Sequence, residues 1–138
     1  MLDLIIKNGK CYIDGQLKDV NISVKDGKIQ KIGQITEDAK DTIDATGLIV
    51  LPGCMDTQTH FREPGSTDTE DLHSGSRAAI VGGITSVFEM PNTNPPTSTK
   101  KEFQRKLDLA KNRMYCNYAF YFGATADNAN ELADLKNL

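Results

Sequence analysis

The sequence predicts an α/β chain in two parts: a β-rich module over residues 1–51, then strands alternating with helices over residues 52–138. Two observations carry this. Up to Pro52, short alternating apolar runs are punctuated by Asn8-Gly9, Asp14-Gly15 and Asp26-Gly27, dipeptides that favour tight turns between paired strands. Beyond Pro52-Gly53 the rhythm becomes strand, helix, strand, helix, strand, helix, the pattern of a parallel sheet with right-handed crossovers.

In the first part, Leu2, Leu4 and Ile6 alternate with Asp3, Ile5 and Lys7, and Cys11-Tyr12-Ile13 follows the Asn8-Gly9 turn. Val20, Ile22 and Val24 alternate with Asn21 and Ser23, and Ile29 and Ile32 begin the return. These read as hairpins with one buried face in an antiparallel sheet. Residues 36–41 are polar and read as a loop. Thr42-Ile43-Asp44 and residues 48–51 supply two more short strands.

In the second part, a strand runs through His60 into Pro64-Gly65. Thr67-Asp68-Thr69-Glu70 then has the form of a capping box, with Asp68, Glu70 and Asp71 placed where the helix dipole favours negative charge. The helix passes through Leu72, Arg77, Ala79 and Ile80 and stops at Gly82-Gly83. Residues 84–90 are nearly all apolar or β-branched, as expected of a parallel strand covered on both faces. Pro91-Asn92-Thr93-Asn94-Pro95-Pro96 forbids a helix and makes a rigid loop. Thr99-Lys100-Lys101-Glu102 caps a second helix, whose Phe103, Leu107 and Ala110 share a face. Residues 114–122 form a third strand, and Asp127 can cap a last helix containing Leu132 and Leu135. Three βα units do not close an eight-stranded barrel of about 250 residues. The sheet is therefore expected to be the first part of a longer polypeptide, or to bury its open edge against another copy.

Composition excludes several classes. The net charge is -3 and no basic tract occurs, which argues against nucleic acid as a partner. No apolar run approaches the ~18 residues of a membrane span, so no membrane partner is expected. Cys11, Cys54 and Cys116 are odd in number and far apart, which supports neither a disulfide framework nor a thiolate zinc site and suits a cytoplasmic protein. Cys54 and Cys116 read as small buried hydrophobes.

The stretch over residues 51–65 carries the chemistry. Asp56, Gln58, His60 and Arg62 recur at intervals of two, which in a regular strand places them on one face. Such a polar row is costly to bury unpartnered and points to a metal or an anionic ligand. The motif Pro52-Gly53-x-x-Asp56-x-Gln58-x-His60-x-Arg62-x-Pro64-Gly65, with Gly82-Gly83-Ile84-Thr85 and Met90-Pro91-Asn92-Thr93, resembles the amidohydrolase superfamily and, within it, the dihydroorotases.

That resemblance implies the N-terminal part of a metal-dependent hydrolase (β/α)8 TIM barrel preceded by a small β-sandwich, with the barrel incomplete in this chain. It implies reversible cyclisation of N-carbamoyl-L-aspartate to L-dihydroorotate in pyrimidine biosynthesis, with one or two zinc ions. Arg62 and Asn92 would bind the substrate and His60 would ligate metal. The family's first motif histidine is Gln58 here, and an amide is a far weaker zinc ligand than imidazole. Gln58 is therefore read either as a weak ligand or as a hydrogen-bond partner of one. Catalytic residues are expected beyond Leu138, so the chain alone is expected to be inactive. A homo-oligomer is expected. The alternatives are an inactive scaffold subunit, for example for aspartate transcarbamoylase, and another cyclic amidase of allantoinase or hydantoinase type. Asp56 reads as structural, Glu89 as a salt-bridge residue of the sheet wall, and His73 as a solvated helix position. Arg62 has a bland alternative as an ion-pair partner of Glu63 or Asp71.

Overall fold

A computed structural model describes residues 1–132. The chain forms two compact units, Met1–Pro52 and Gly53–Leu138.

The first unit contains two sheets. One orders its strands β5-β4-β1-β6, comprising β1 (Leu2–Lys7), β4 (Asn21–Lys25), β5 (Lys28–Gly33) and β6 (Ala39–Asp44). The other is β3-β2-β7, from β2 (Lys10–Ile13), β3 (Gln16–Asp19) and β7 (Ile49–Val50). Asp14-Gly15 and Asp26-Gly27 hold positive φ at both residues (53° and 77°, 51° and 71°). They close the β2–β3 and β4–β5 hairpins in the way the right-handed strand twist favours. Asn8-Gly9 does not close a hairpin: β1 pairs with β4 and β6, whereas β2 pairs with β3 and β7, so this turn carries the chain between sheets.

Nor is the unit purely antiparallel, because β1 pairs with β6, and β2 with β7, in parallel. The polar residues 39–41 lie in β6, where Leu2 pairs with Ala39 and Leu4 with Asp41. Backbone pairing to β1 fixes that strand while Lys40 and Asp41 remain exposed. Leu2, Cys11, Ile22 and Ala45 are the unit's buried apolar residues among those described.

The second unit is built on a parallel three-stranded sheet ordered β10-β9-β8, comprising β8 (Cys54–Thr59), β9 (Ile84–Glu89) and β10 (Asn117–Phe120). Helices α1 (Leu72–Val81) and α2 (Lys100–Ala110) make the crossovers, and α3 (Ala129–Leu132) follows. Leu72, Val87, Ala110, Cys116 and Phe120 form a buried core with Phe61, against which Phe103 and Leu107 pack. Fully burying a leucine, valine or phenylalanine side chain contributes roughly 1.5–3 kcal/mol. Val87 and Glu89 are buried, but the alternating Ser86 and Phe88 are only half-buried among the described residues, so the expected cover on both faces is absent there.

Several boundaries move. Helix α1 is capped by Asp71, not by Thr67: Asp71 Oδ1 accepts the Ser74 N–H at 2.6 Å and Ser74 Oγ accepts the Asp71 N–H at 3.1 Å, a reciprocal box. Thr69 and Glu70 instead turn back on the Ser66 carbonyl, and no acidic residue occupies the first turn of α1. Gly82 caps the C-terminus as expected, and α2 begins at the Thr99 cap, whose Oγ1 accepts the Glu102 N–H at 3.2 Å. The third strand is shorter than its aromatic run because pairing to β9 ends at Phe120. Asn128, not Asp127, immediately precedes α3, and Leu135 lies outside the described residues. Cys116 is buried, whereas Cys54, at the first position of β8, is exposed.

The Asp71 carboxyl is held below its ordinary value of 3.8, chiefly by the Ser74 backbone and side-chain hydrogen bonds. A depressed carboxylate stabilises the fold above its unfolded pKa, and that contribution disappears as pH falls through the lower folded value. Asp71→Ala is expected to cost about 1 kcal/mol at neutral pH. The loss should shrink below the unfolded pKa, as read from urea midpoints across an acid series.

Candidate functional site

The strand that carries the polar row is not regular. Asp56 Oδ1 accepts the Gln58 N–H at 2.9 Å, a local turn that aspartate side chains favour. The register of β8 against β9 slips at this point: Asp56 pairs with Val87 but Thr59 pairs with Glu89. Three steps along β8 thus match two along β9, which is the count of a β-bulge. Paired residues of parallel neighbours share a face, so Asp56 falls with Thr59 instead of with Gln58. The single face of four polar residues does not form.

Beyond Thr59 the chain leaves the sheet. Phe61 and Glu63 are buried while Arg62 between them is exposed, with φ of 61°. Phe61 joins the core and packs against Gly75 of α1, where any side chain would collide with its ring. Glu63 receives both guanidinium nitrogens of Arg113, Nη1 to Oε1 at 2.8 Å and Nη2 to Oε2 at 3.1 Å. Its Oε2 also accepts the Leu72 N–H at 2.9 Å, satisfying one of the free donors at the start of α1. Arg113 lies 3.6 Å from Asp71 as well, and the Glu63 hydrogen bonds push its pKa up. Arg113, not Arg62, is therefore the ion-pair partner of Glu63 and Asp71. The Arg62 guanidinium makes no hydrogen bond or ion pair among the described residues, and neither does the exposed Gln58 amide.

The loop after β9 is tied to its neighbours on both sides. Met90 N–H donates to the Thr59 carbonyl at 2.9 Å and Asn94 N–H to the Pro64 carbonyl at 3.0 Å. The Pro91 carbonyl accepts from both Thr93 and Thr97 N–H at 2.9 Å, and Gly123 N–H reaches the Thr97 carbonyl at 2.8 Å. Asn128, buried, donates through Nδ2 to the Ser98 and Gly123 carbonyls at 2.8 Å. The loops at the C-terminal ends of all three strands are thus joined. Among the predicted site residues, this brings together His60 and Asn92, with Nδ1 of His60 2.9 Å from Oδ1 of Asn92.

Beneath this loop lies a buried ion pair. Glu89 and Lys106 are 1% and 0% exposed and in direct contact. The ammonium also donates to the Met90 carbonyl at 3.0 Å and lies 5.1 Å from the centre of the Phe120 ring. Its three N–H groups therefore meet a carboxylate, a carbonyl and an aromatic face. Burial pushes the Glu89 carboxyl up and the Lys106 ammonium down, and each is opposed by the other's charge. Glu89 is thus the wall salt-bridge residue the sequence suggested.

Lys106, Arg113 and Asn128 are the organising residues that sequence reasoning missed. Lys106 left a signal, since with Phe103, Leu107 and Ala110 it completes an i, i+3, i+4, i+7 stripe. Arg113 and Asn128 left none. His73, exposed as expected, meets Tyr115 edge-on at 5.1 Å.

A metal is the family's expected cofactor, and the described residues do not fit one by themselves. They contain no group of three His, Cys, Asp or Glu side chains placed to hold an ion, and His60 and Gln58 offer one imidazole and one amide. Among them there is also no helix long and apolar enough to cross a membrane.

Comparison with known proteins gives consistent matches. The model of the amidohydrolase family matches residues 49–136. Allantoinase from Escherichia coli O1:K1 is 44% identical over 134 residues, covering 96% of this chain and 30% of the relative. Allantoinase from Salmonella choleraesuis is 42% identical over the same length and coverage. Among solved structures, L-hydantoinase (dihydropyrimidinase) from Arthrobacter aurescens superposes with a TM-score of 0.90 at 34% identity, covering 99% of this chain and 31% of that one. D-hydantoinase from Thermus sp. gives 0.78 at 28% identity, covering 96% and 30%. The chain thus spans about a third or less of the length of the proteins it matches.

Proposed function

The chain belongs to the amidohydrolase family, and from that premise we propose that it is the N-terminal portion of a cyclic amidase of allantoinase or hydantoinase type. The observation that carries this is the 44% identity to an allantoinase over 134 residues. The L-hydantoinase superposition, at a TM-score of 0.90, supports the same class. Dihydroorotase is the second reading. It rests on the combination of Arg62 with Met90-Pro91-Asn92-Thr93, and the relatives favour it less.

Opening a cyclic ureide at its ring amide releases a carboxylate. Arg62 is exposed and free of ion pairs among the described residues, and its planar fork suits that carboxylate. Such a contact serves either reading, because dihydroorotate and N-carbamoyl-aspartate also present carboxylates. His60 stands in the next turn of chain with one ring nitrogen engaged by Asn92. These residues bind and orient. Members of this superfamily are generally metal-dependent, and zinc would need ligands from outside the described residues. The 138-residue chain by itself is proposed to be inactive for that reason. The scaffold reading, with aspartate transcarbamoylase as partner, has only Gln58 in its support.

The test is a substrate panel. The complete polypeptide carrying these residues is expected to open allantoin or a hydantoin faster than dihydroorotate, and the isolated chain to open none of them. Preferred turnover of dihydroorotate would reverse the order of the two readings, and no turnover by a metal-replete polypeptide would remove both. In the same polypeptide, Gln58→His is expected to raise zinc content. Unchanged zinc and unchanged turnover would place residue 58 outside the ligand set.

A further inference from the structure

We propose that Asn92 is a positioning residue, whose side-chain oxygen holds His60 in the Nδ1–H tautomer and leaves the Nε2 lone pair free. This deepens the reading above by giving Asn92 a task other than substrate contact. Oδ1 of Asn92 is an acceptor with no proton to give, so its 2.9 Å approach to Nδ1 is a hydrogen bond in the neutral ring only when Nδ1 carries the proton. The remaining nitrogen, Nε2, then carries the lone pair that can accept a proton or bind an electrophile. Free histidine prefers the opposite tautomer, so the structure has to impose this one.

The means of imposing it surround Asn92. Met90, two residues earlier, has its N–H on the Thr59 carbonyl and its own carbonyl on the buried Lys106 ammonium. Pro91 accepts from Thr93 and Thr97 and so fixes the next peptide. Thr93 Oγ1 donates to the Pro95 carbonyl at 2.9 Å on the far side. His60 is held from its own side, since Thr59 is paired to Glu89 and Phe61 is seated in the core. The amide therefore meets the imidazole with both backbones set, which is how an outer hydrogen bond fixes the tautomer of a functional histidine.

The chain has 2 histidines, so its imidazole nitrogens can be assigned directly and His73 serves as an internal control. Long-range proton–nitrogen correlation spectra of the labelled chain, at a pH where both rings are neutral, are expected to show His60 protonated on Nδ1. Asn92→Ala should return His60 to the Nε2–H majority of a free ring without moving His73. Asn92→Asp, which keeps an acceptor at the same place, should retain the Nδ1–H form. An Nε2–H tautomer for His60 in the parent chain, the state in which a reversed Asn92 amide would donate to Nδ1, overturns the proposal. So does an Asn92→Ala chain whose His60 is unchanged. The spectra involve no substrate, so this result and the substrate panel stand or fall separately.

Discussion

Lys106→Met is expected to destabilise the second unit by about 3–5 kcal/mol, the usual cost of removing one member of a buried ion pair. The substitution keeps the apolar stem packed and deletes only the charge. Glu89, 1% exposed, then holds a carboxylate with no cation beside it, and the Met90 carbonyl loses its donor. A buried carboxylate without a partner raises its pKa further, so the defect should depend on pH. Between the unfolded value near 4.5 and the raised folded value, the native state binds more protons than the unfolded chain. Stability of the variant should therefore fall as pH rises through that window and recover as pH is lowered.

The double variant Lys106→Met with Glu89→Leu removes both charges and should regain most of the stability, because an apolar pair of similar volume replaces a buried ion pair at little cost. It should not regain the order of the Met90 to Asn92 loop, which loses the ammonium in both variants. Urea unfolding read from second-unit amides measures all three proteins. A Lys106→Met loss below about 1 kcal/mol would mean that the pair contributes no more than an exposed one.

Arg113→Ala is expected to give the next largest loss, about 1–3 kcal/mol after allowance for solvent screening. The Arg113 side chain is 35% exposed and Glu63 only 9%, so the cost falls mainly on the carboxylate left behind. Glu63 would keep the Leu72 N–H but lose two charged donors. The affected segment is the one that turns Arg62 outward, so amide exchange of residues 61–66 should accelerate before the rest of the sheet opens. Arg113→Lys should recover only part of the loss, because an ammonium cannot reproduce the two parallel bonds of the guanidinium fork. Full recovery with lysine would show that charge alone matters here.

Local chemistry was legible where the partners were neighbours in sequence. The Asp14-Gly15 and Asp26-Gly27 hairpins, the Thr99 cap and the Gly82 stop needed only nearby residues, and each is present. Thr67-Asp68-Thr69-Glu70 failed as a cap because Thr69 and Glu70 turn back on Ser66 and Asp71 closes the box with Ser74, while Glu63 takes the Leu72 N–H from outside the helix. The polar row on β8 failed as a single face because Asp56 bonds to Gln58 and shifts the register. Arg62 is adjacent to Glu63 in sequence, but Arg113 holds that carboxylate from 50 residues away.

The alternation of strands and helices after Pro52 and the motif that places the chain among the amidohydrolases are written in the sequence. Both depend on side-chain period, turn chemistry or residue identity, which are properties of short segments. Tertiary structure decided the parallel partners of β1 and β2, the burial of Lys106 beneath Met90, and the meeting of His60 with Asn92. Those depend on which distant groups can satisfy a buried charge or an unpaired backbone, and only the folded chain brings such groups within reach.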